Sequence, residues 1–191
     1  MEILDSKKFK TSLWSGGKTV EAFIYPENAS YQKGDFIFRL SSATVEVEKS
    51  VFTVLPDVKR FLTPIDNTFI LNHKKNGESR EVVLKPLQID VFDGEDETVC
   101  AGVGQDINLM IKKGAQGKMI SFAGGKVLFS GDYLFVYALE NITAGKNDET
   151  PIEKGEIAVS TDKGKYTISG ESVLICVELL NKFFLLTSQL K

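Results

Sequence analysis

Apolar and polar residues alternate with a period of two along most of this chain, and a period near 3.6 is weak almost everywhere. Successive side chains of a strand point to opposite faces, so the pattern predicts strands. The segments are Val20–Tyr25, Asp35–Glu48, Val51–Leu55, Phe69–His73, Glu81–Leu84, Gln88–Phe92, Thr98–Ala101 and Asp106–Lys112. Lys118–Phe122, Lys126–Ser130, Tyr133–Leu139, Glu156–Ser160, Lys165–Ser169, Val173–Leu179 and Lys182–Thr187 follow. The runs are separated by 16 glycines and 5 prolines, with turns at Lys75-Asn76-Gly77, Ala123-Gly124-Gly125 and Asp162-Lys163-Gly164. Many short strands at this spacing predict an all-β sandwich or barrel. The polar stretch 141–154 reads as a mobile loop. In the stretch 172–190, Val173, Leu174, Val177, Leu180 and Phe184 fit a helical face. β-Branched Val173, Ile175, Val177 and Thr187, with a turn at Asn181-Lys182, fit two strands instead, and the strands are the favoured reading.

Parity along the longest strand carries chemical information. One face reads Phe36, Phe38, Leu40, Ser42, Thr44, Glu46 and Glu48, and the other reads Ile37, Arg39, Ser41, Ala43, Val45 and Val47. Glu46 and Glu48 belong in water, so the Val47 face is the core side, and Arg39 and Ser41 then point inward. A buried guanidinium needs a protein carboxylate, a bound anion or a water-filled mouth, because an unpaired charge is very costly inside a protein. The three solutions stay open at this level.

Composition narrows the function classes. A chain of 191 residues holds one good core or two small lobes. With 23 basic against 26 acidic residues, net charge −3, it exerts no pull toward nucleic acid or an anionic membrane. No apolar run reaches the ~18 to 20 residues that a membrane-crossing helix needs. The start, Met1-Glu2-Ile3-Leu4-Asp5, lacks the pattern of a secretory signal, so a cytoplasmic protein is expected. The single histidine, His73, cannot assemble an imidazole-rich metal site, and Cys100 and Cys176 form no Cys-x-x-Cys. The expectation is two buried thiols, no metal and no cofactor. His73, beside Lys74-Lys75-Asn76-Gly77, reads as a hydrated hairpin-tip residue. Ser15-Gly16-Gly17-Lys18-Thr19 imitates a phosphate loop, but Ser12 stands where its first glycine belongs and no helix pattern follows. No constellation of catalytic residues emerges.

The order of motifs through the first 114 residues resembles a known family. Trp14-Ser15-Gly16-Gly17-Lys18-Thr19 leads into Glu21-Ala22-Phe23-Ile24-Tyr25-Pro26, then Asp35-Phe36-Ile37-Phe38-Arg39-Leu40-Ser41-Ser42-Ala43-Thr44-Val45-Glu46. Phe52-Thr53-Val54-Leu55-Pro56 with Arg60, Pro86 with Phe92-Asp93-Gly94, and Asp106-Ile107-Asn108-Leu109-Met110 follow. This arrangement is similar to the HutD/Ves family of small bacterial proteins. The resemblance implies an all-β, double-stranded β-helix (cupin) fold built as two fused barrels, a bicupin. Residues 1–114 would be its motif-bearing part and 115–191 its β-rich remainder. It also implies lost metal-binding histidines and no established enzymatic activity. The implied role is regulatory or sensing, linked with histidine utilisation, or with stress response for Ves-like members. A small anionic metabolite, formylglutamate or a related acid, would be the partner. Carried over residue by residue, the candidate ligand pocket comprises Trp14, Glu21, Phe36, Arg39, Ser41, Arg60, Asp106 and Asn108. Phe38 and Lys112-Lys113 depart from the family pattern, where tryptophan and arginines are usual.

Three arginines stand among 20 lysines, and two of them, Arg39 and Arg60, fall inside the matched motifs. Arginine offers a planar fork suited to a carboxylate, where lysine offers a point charge. Three readings follow: a metal-free carboxylate binder, a cofactor-free isomerase or hydrolase using Glu21 or Asp106 as base, and an interaction module presenting Phe36, Phe38 and Leu40. A monomer or a homodimer is compatible with each.

Overall fold

A computed structural model describes residues 1–180 of the chain. The stretch 182–187, anticipated as a strand, lies outside the described residues. A short β1 (Glu2–Ile3) and a single 3-10 turn (Ser6–Lys8) precede β2 (Lys10–Trp14), β3 (Gly17–Tyr25), β4 (Phe38–Val45), β5 (Lys49–Val51) and β6 (Val58–Pro64). Then come β7 (Phe69–Lys75), β8 (Glu78–Leu84), β9 (Asp90–Asp93), β10 (Glu97–Ala101) and β11 (Gly104–Lys112). The later strands are β12 (Ala115–Phe122), β13 (Gly125–Phe129), β14 (Tyr133–Ala138), β15 (Ile142–Gly145), β16 (Thr150–Ile152), β17 (Ile157–Ser160), β18 (Gly164–Ile168) and β19 (Ser172–Leu179).

The chain divides into two compact units, Asp5–Lys112 and a second formed by Met1–Leu4 with the chain from Lys113 onward. Within Asp5–Lys112, one sheet runs β2-β3-β4-β11-β6-β9 and the other β5-β10-β7-β8. Val45, Leu62 and Phe92 of the first sheet close on Phe69, Leu71, Leu84 and Cys100 of the second. In the second unit, β1-β17-β14-β19-β12 faces β13-β18-β15-β16. Leu134, Val136, Ala158 and Leu174 pack there on Phe129, Ile142, Ile152, Tyr166 and Ile168. Two antiparallel sheets buried against each other are the physical form of the anticipated barrel.

Several local expectations change. The polar stretch 141–154 is not a loop: β15 and β16 pair across it, and Ile142, Ala144 and Ile152 are buried. Two or three apolar anchors in a polar sequence suffice for a short hairpin, which alternation over longer windows misses. Val51–Leu55 is strand only as far as Val51. β6 carries Arg60 but escapes the alternation, since Val58-Lys59-Arg60-Phe61-Leu62-Thr63-Pro64 mixes charge, aromatic and proline. Ser172–Leu179 is one strand, as favoured. Cys100 is buried, but Cys176 is only half-buried, and both thiols are free.

Candidate functional site

The register of three neighbouring strands lays out the site. Arg39 of β4, Met110 of β11 and Arg60 of β6 form one cross-strand row. Ser41, Asn108 and Leu62 form the next, and Ala43, Asp106 and Pro64 a third. Same-face rows lie two residues apart, about 7 Å, so this floor is about 14 Å long. A cavity of about 350 Å³ opens above it. Arg39, Ser41, Arg60, Asp106 and Asn108 line it together with Trp14, Tyr31, Phe52 and Thr19.

Each element sets a side chain for a local reason. A β-bulge between Glu21 and Phe23 shifts the β3–β4 register, leaving Glu21 opposite Ser41 and Ile24 opposite Arg39. Glu21 Oε2 accepts a hydrogen bond from Arg39 Nε at 2.7 Å, and Arg39 Nη1 donates to Ser41 Oγ at 3.1 Å. The Tyr31 ring covers the Arg39 guanidinium at 4.5 Å. Arg39 is therefore inward-facing, as parity implies, and already neutralised. On the opposite wall, Gly16 packs beneath Trp14, whose ring atoms lie 2.0 Å from where a Cβ would stand. Only glycine leaves room for the indole there.

Arg60 is in a different state. It is 6% exposed, its Nε has no partner, and no hydrogen bond or ion pair holds it among the described residues. Its guanidinium lies between Phe52 at 4.6 Å and Phe92 at 5.3 Å, a cation–π cradle that orients the fork without consuming its donors. Desolvation pulls its pKa down to about 10, with Arg39 adding to the fall and Tyr31 and Asp106 opposing it. At neutral pH it remains a buried cation. Asp106 is 2% exposed, and burial pushes its carboxyl up to about 7 against the field of Arg60 and the Ala43 main-chain amide, with Asp66 adding to the rise. Asp106 Oδ1, Asn108 Oδ1 and Trp14 Nε1 are buried atoms without partners. The cavity thus gathers a free cationic fork, two unfilled acceptors and an unfilled indole donor.

Of the eight residues expected at the pocket, the structure places Trp14, Arg39, Ser41, Arg60, Asp106 and Asn108 on the cavity wall. Glu21 backs Arg39 instead of lining the cavity. Phe36 is packed with Ile24, Ala29, Val58 and Met110 in a small apolar cluster. Sequence reasoning missed Tyr31 and Phe52 as wall residues: Tyr31 sits outside any strand, and Phe52, although it opens the motif Phe52-Thr53-Val54-Leu55-Pro56, is not among the residues carried into the pocket. His73 is corrected outright. It is 3% exposed, with Nδ1 2.9 Å from Thr98 Oγ1 and Nε2 2.8 Å from Asp90 Oδ2. Asp90 in turn accepts two hydrogen bonds from Arg80. The hairpin tip is Asn76-Gly77; His73 lies three residues inside it, and strand parity turns the ring inward against Phe92.

Comparison with known proteins agrees with this architecture. The fold is that of HutD from Pseudomonas fluorescens SBW25 in a formate condition, at 18% identity and TM-score 0.76 over 93% of this chain and 98% of that one. It is equally that of a conserved protein of unknown function from Pseudomonas aeruginosa PAO1, at 16% identity and TM-score 0.77 over 94% and 98%. Oxalate decarboxylase from Bacillus subtilis, described for its Mn(II) centres, matches at 6% identity and TM-score 0.64 over 100% and 84%. These likenesses show an all-β, cupin-like fold. Among curated protein sequences none matches the chain. The HutD family model matches residues 6–176, and the chain belongs to the HutD family.

A cupin fold raises the question of a metal. Among the described residues no three His, Cys, Asp or Glu side chains gather to hold an ion. The cavity presents two guanidinium groups and no imidazole, a donor set that repels a cation and does not fit a metal.

Proposed function

We propose that this protein binds a small carboxylate metabolite in the cavity of the Asp5–Lys112 unit and serves a sensing or regulatory role. The observation that carries the reading is Arg60: buried, cationic, stacked between two phenylalanines and unpaired, with its fork open to a cavity of about 350 Å³. Of the three ways to keep a buried guanidinium, a protein carboxylate is absent at Arg60, which leaves a bound anion or cavity water, and an acid in the cavity would supply that anion. Arg39, clamped by Glu21, supplies background field and shape. The family points to formylglutamate or a related histidine-degradation acid. The formate condition of the Pseudomonas fluorescens structure makes the smallest carboxylate a natural first probe.

The test is thermal unfolding at neutral pH with formate, formylglutamate, glutamate and urocanate at millimolar concentration. A ligand at a hundred times its Kd adds about 2.7 kcal/mol, which raises Tm by roughly 5 to 10 °C for a chain of this size. Arg60→Met should abolish the shift while leaving the unliganded protein as stable or more so. No shift with any acid, or an undiminished shift in Arg60→Met, overturns the reading.

One observation favours a second reading. Asp106 combines a pKa near 7 with a place on the cavity wall, the property of a general base. A cofactor-free isomerase or hydrolase would use it so, whereas Glu21 is held by Arg39. Chemical turnover of a bound acid, lost in Asp106→Asn, distinguishes catalysis from binding.

A further inference from the structure

The cavity has two chemically different ends, and this asymmetry specifies more than a carboxylate. At one end of the floor the row of Arg39, Met110 and Arg60 presents the free guanidinium. Away from it, Asn108 in the middle row and Asp106 in the last row present buried acceptor oxygens, Asn108 Oδ1 and Asp106 Oδ1, that have no hydrogen-bond partner. Both residues are more than nine-tenths buried and line the cavity. We infer that the ligand is a monoanionic acid whose far end carries an N–H donor, an amide or an amine, with the carboxylate on Arg60 and the N–H group on Asp106 and Asn108. This rests on the carboxylate reading of Arg60, adds the identity of the second contact, and selects a related single-carboxylate acid over formylglutamate, which carries two carboxylates.

The electrostatics agree with the geometry. Asp106 on β11 feels the positive charge of Arg60 on β6, and Asp66, just beyond β6, adds to its negative surroundings. A second carboxylate at this end would meet a carboxyl already crowded by burial and by Asp66, and would bind only with uptake of a proton. An N–H group meets an acceptor in either protonation state, through Asn108 Oδ1 and the unprotonated oxygen of Asp106. An apolar end group would cover both oxygens and leave them without water or partner, which is the costly outcome for buried acceptors. The aromatic walls, Trp14, Tyr31 and Phe52, suit an apolar ligand body, such as a short methylene chain, between the two polar ends.

Three probes of one size separate the possibilities: succinamate, 4-oxopentanoate and succinate. The first two share carboxylate, chain length and carbonyl, and differ only in NH2 against CH3. Titration calorimetry on the full chain near neutral pH should show succinamate bound about tenfold or more tightly than 4-oxopentanoate, as expected when a ligand leaves a buried acceptor unpaired. Succinate should bind with proton uptake, seen as a buffer-dependent heat, and should weaken as pH rises. In Asn108→Leu and Asp106→Leu the preference for succinamate should shrink toward unity. If either variant fails to fold, the wild-type ratio decides alone. Equal affinity for succinamate and 4-oxopentanoate, or preference for the ketone, overturns the donor inference and leaves the carboxylate reading standing. If neither monoanion binds, both fall.

Discussion

Replacing Asp106 by asparagine removes a charge that the fold is forced to bury, and should stabilise the protein in a strongly pH-dependent way. In the folded chain the Asp106 carboxyl keeps its proton up to about pH 7, against an ordinary value of 3.8. Between those values the native state holds one more proton than the unfolded state, so stability falls as pH rises, and the loss is complete above the folded value. The shift corresponds to about 4 kcal/mol, the attraction of Arg60 being already contained in it. Asparagine keeps the size and the acceptor oxygen of the protonated acid without its charge. Asp106→Asn should therefore match wild type near about pH 4 and exceed it by up to about 4 kcal/mol near about pH 8. Urea unfolding of both proteins across that range gives the difference curve directly, since the m-value should not change. A flat difference, or a variant less stable at the alkaline end, would refute the buried-charge argument. A residue kept at such a cost in stability is the kind retained for function.

Three further outcomes test the supporting structure. Glu21→Leu should lower stability by about 3 to 5 kcal/mol by leaving the Arg39 charge buried and unpaired, and adding Arg39→Met should recover most of the loss in the same urea assay. Burial raises the Asp90 pKa, but hydrogen bonds from His73 and Arg80 outweigh it, so the folded carboxyl titrates below its usual range. Its stabilisation is thus present above the ordinary 3.8 and is lost as pH falls through the lower folded value. Asp90→Asn should cost about 2 kcal/mol in thermal or urea unfolding near neutral pH and progressively less in acid. Gly17→Ala puts a Cβ 2.0 Å from the Thr44 carbonyl at φ +148°, and should destabilise by about 2 kcal/mol or more. The same change should alter the emission of Trp14, the single tryptophan.

The fold was legible because period-two patterning is strong wherever one sheet face is buried and the other wet, as in β7, where Phe69, Leu71 and His73 point in and Ile70, Asn72 and Lys74 point out. That strand also shows the limit. Its inward set ends in a histidine, and a polar residue at a core position looks like a surface residue until its partners, Thr98 and Asp90, are known. Parity correctly turned Arg39 toward the interior but could not say which of the three ways of neutralising it applies; the Glu21 carboxylate arrives through a bulge that shifts the β3–β4 register. Arg60, the open cation, lies on a strand whose proline and charges hide its alternation, and only the family resemblance flagged it. The second end of the cavity depends on three strands lying side by side in the order β4, β11, β6, and no local pattern encodes that adjacency.

The most direct measurement is a crystal structure of the protein grown with millimolar succinamate. The carboxylate should lie within hydrogen-bond reach of the Arg60 guanidinium, about 3 Å, with the amide nitrogen toward Asp106 and Asn108. An acid bound away from Arg60, or a cavity that stays empty while the acid shifts Tm, would contradict the account.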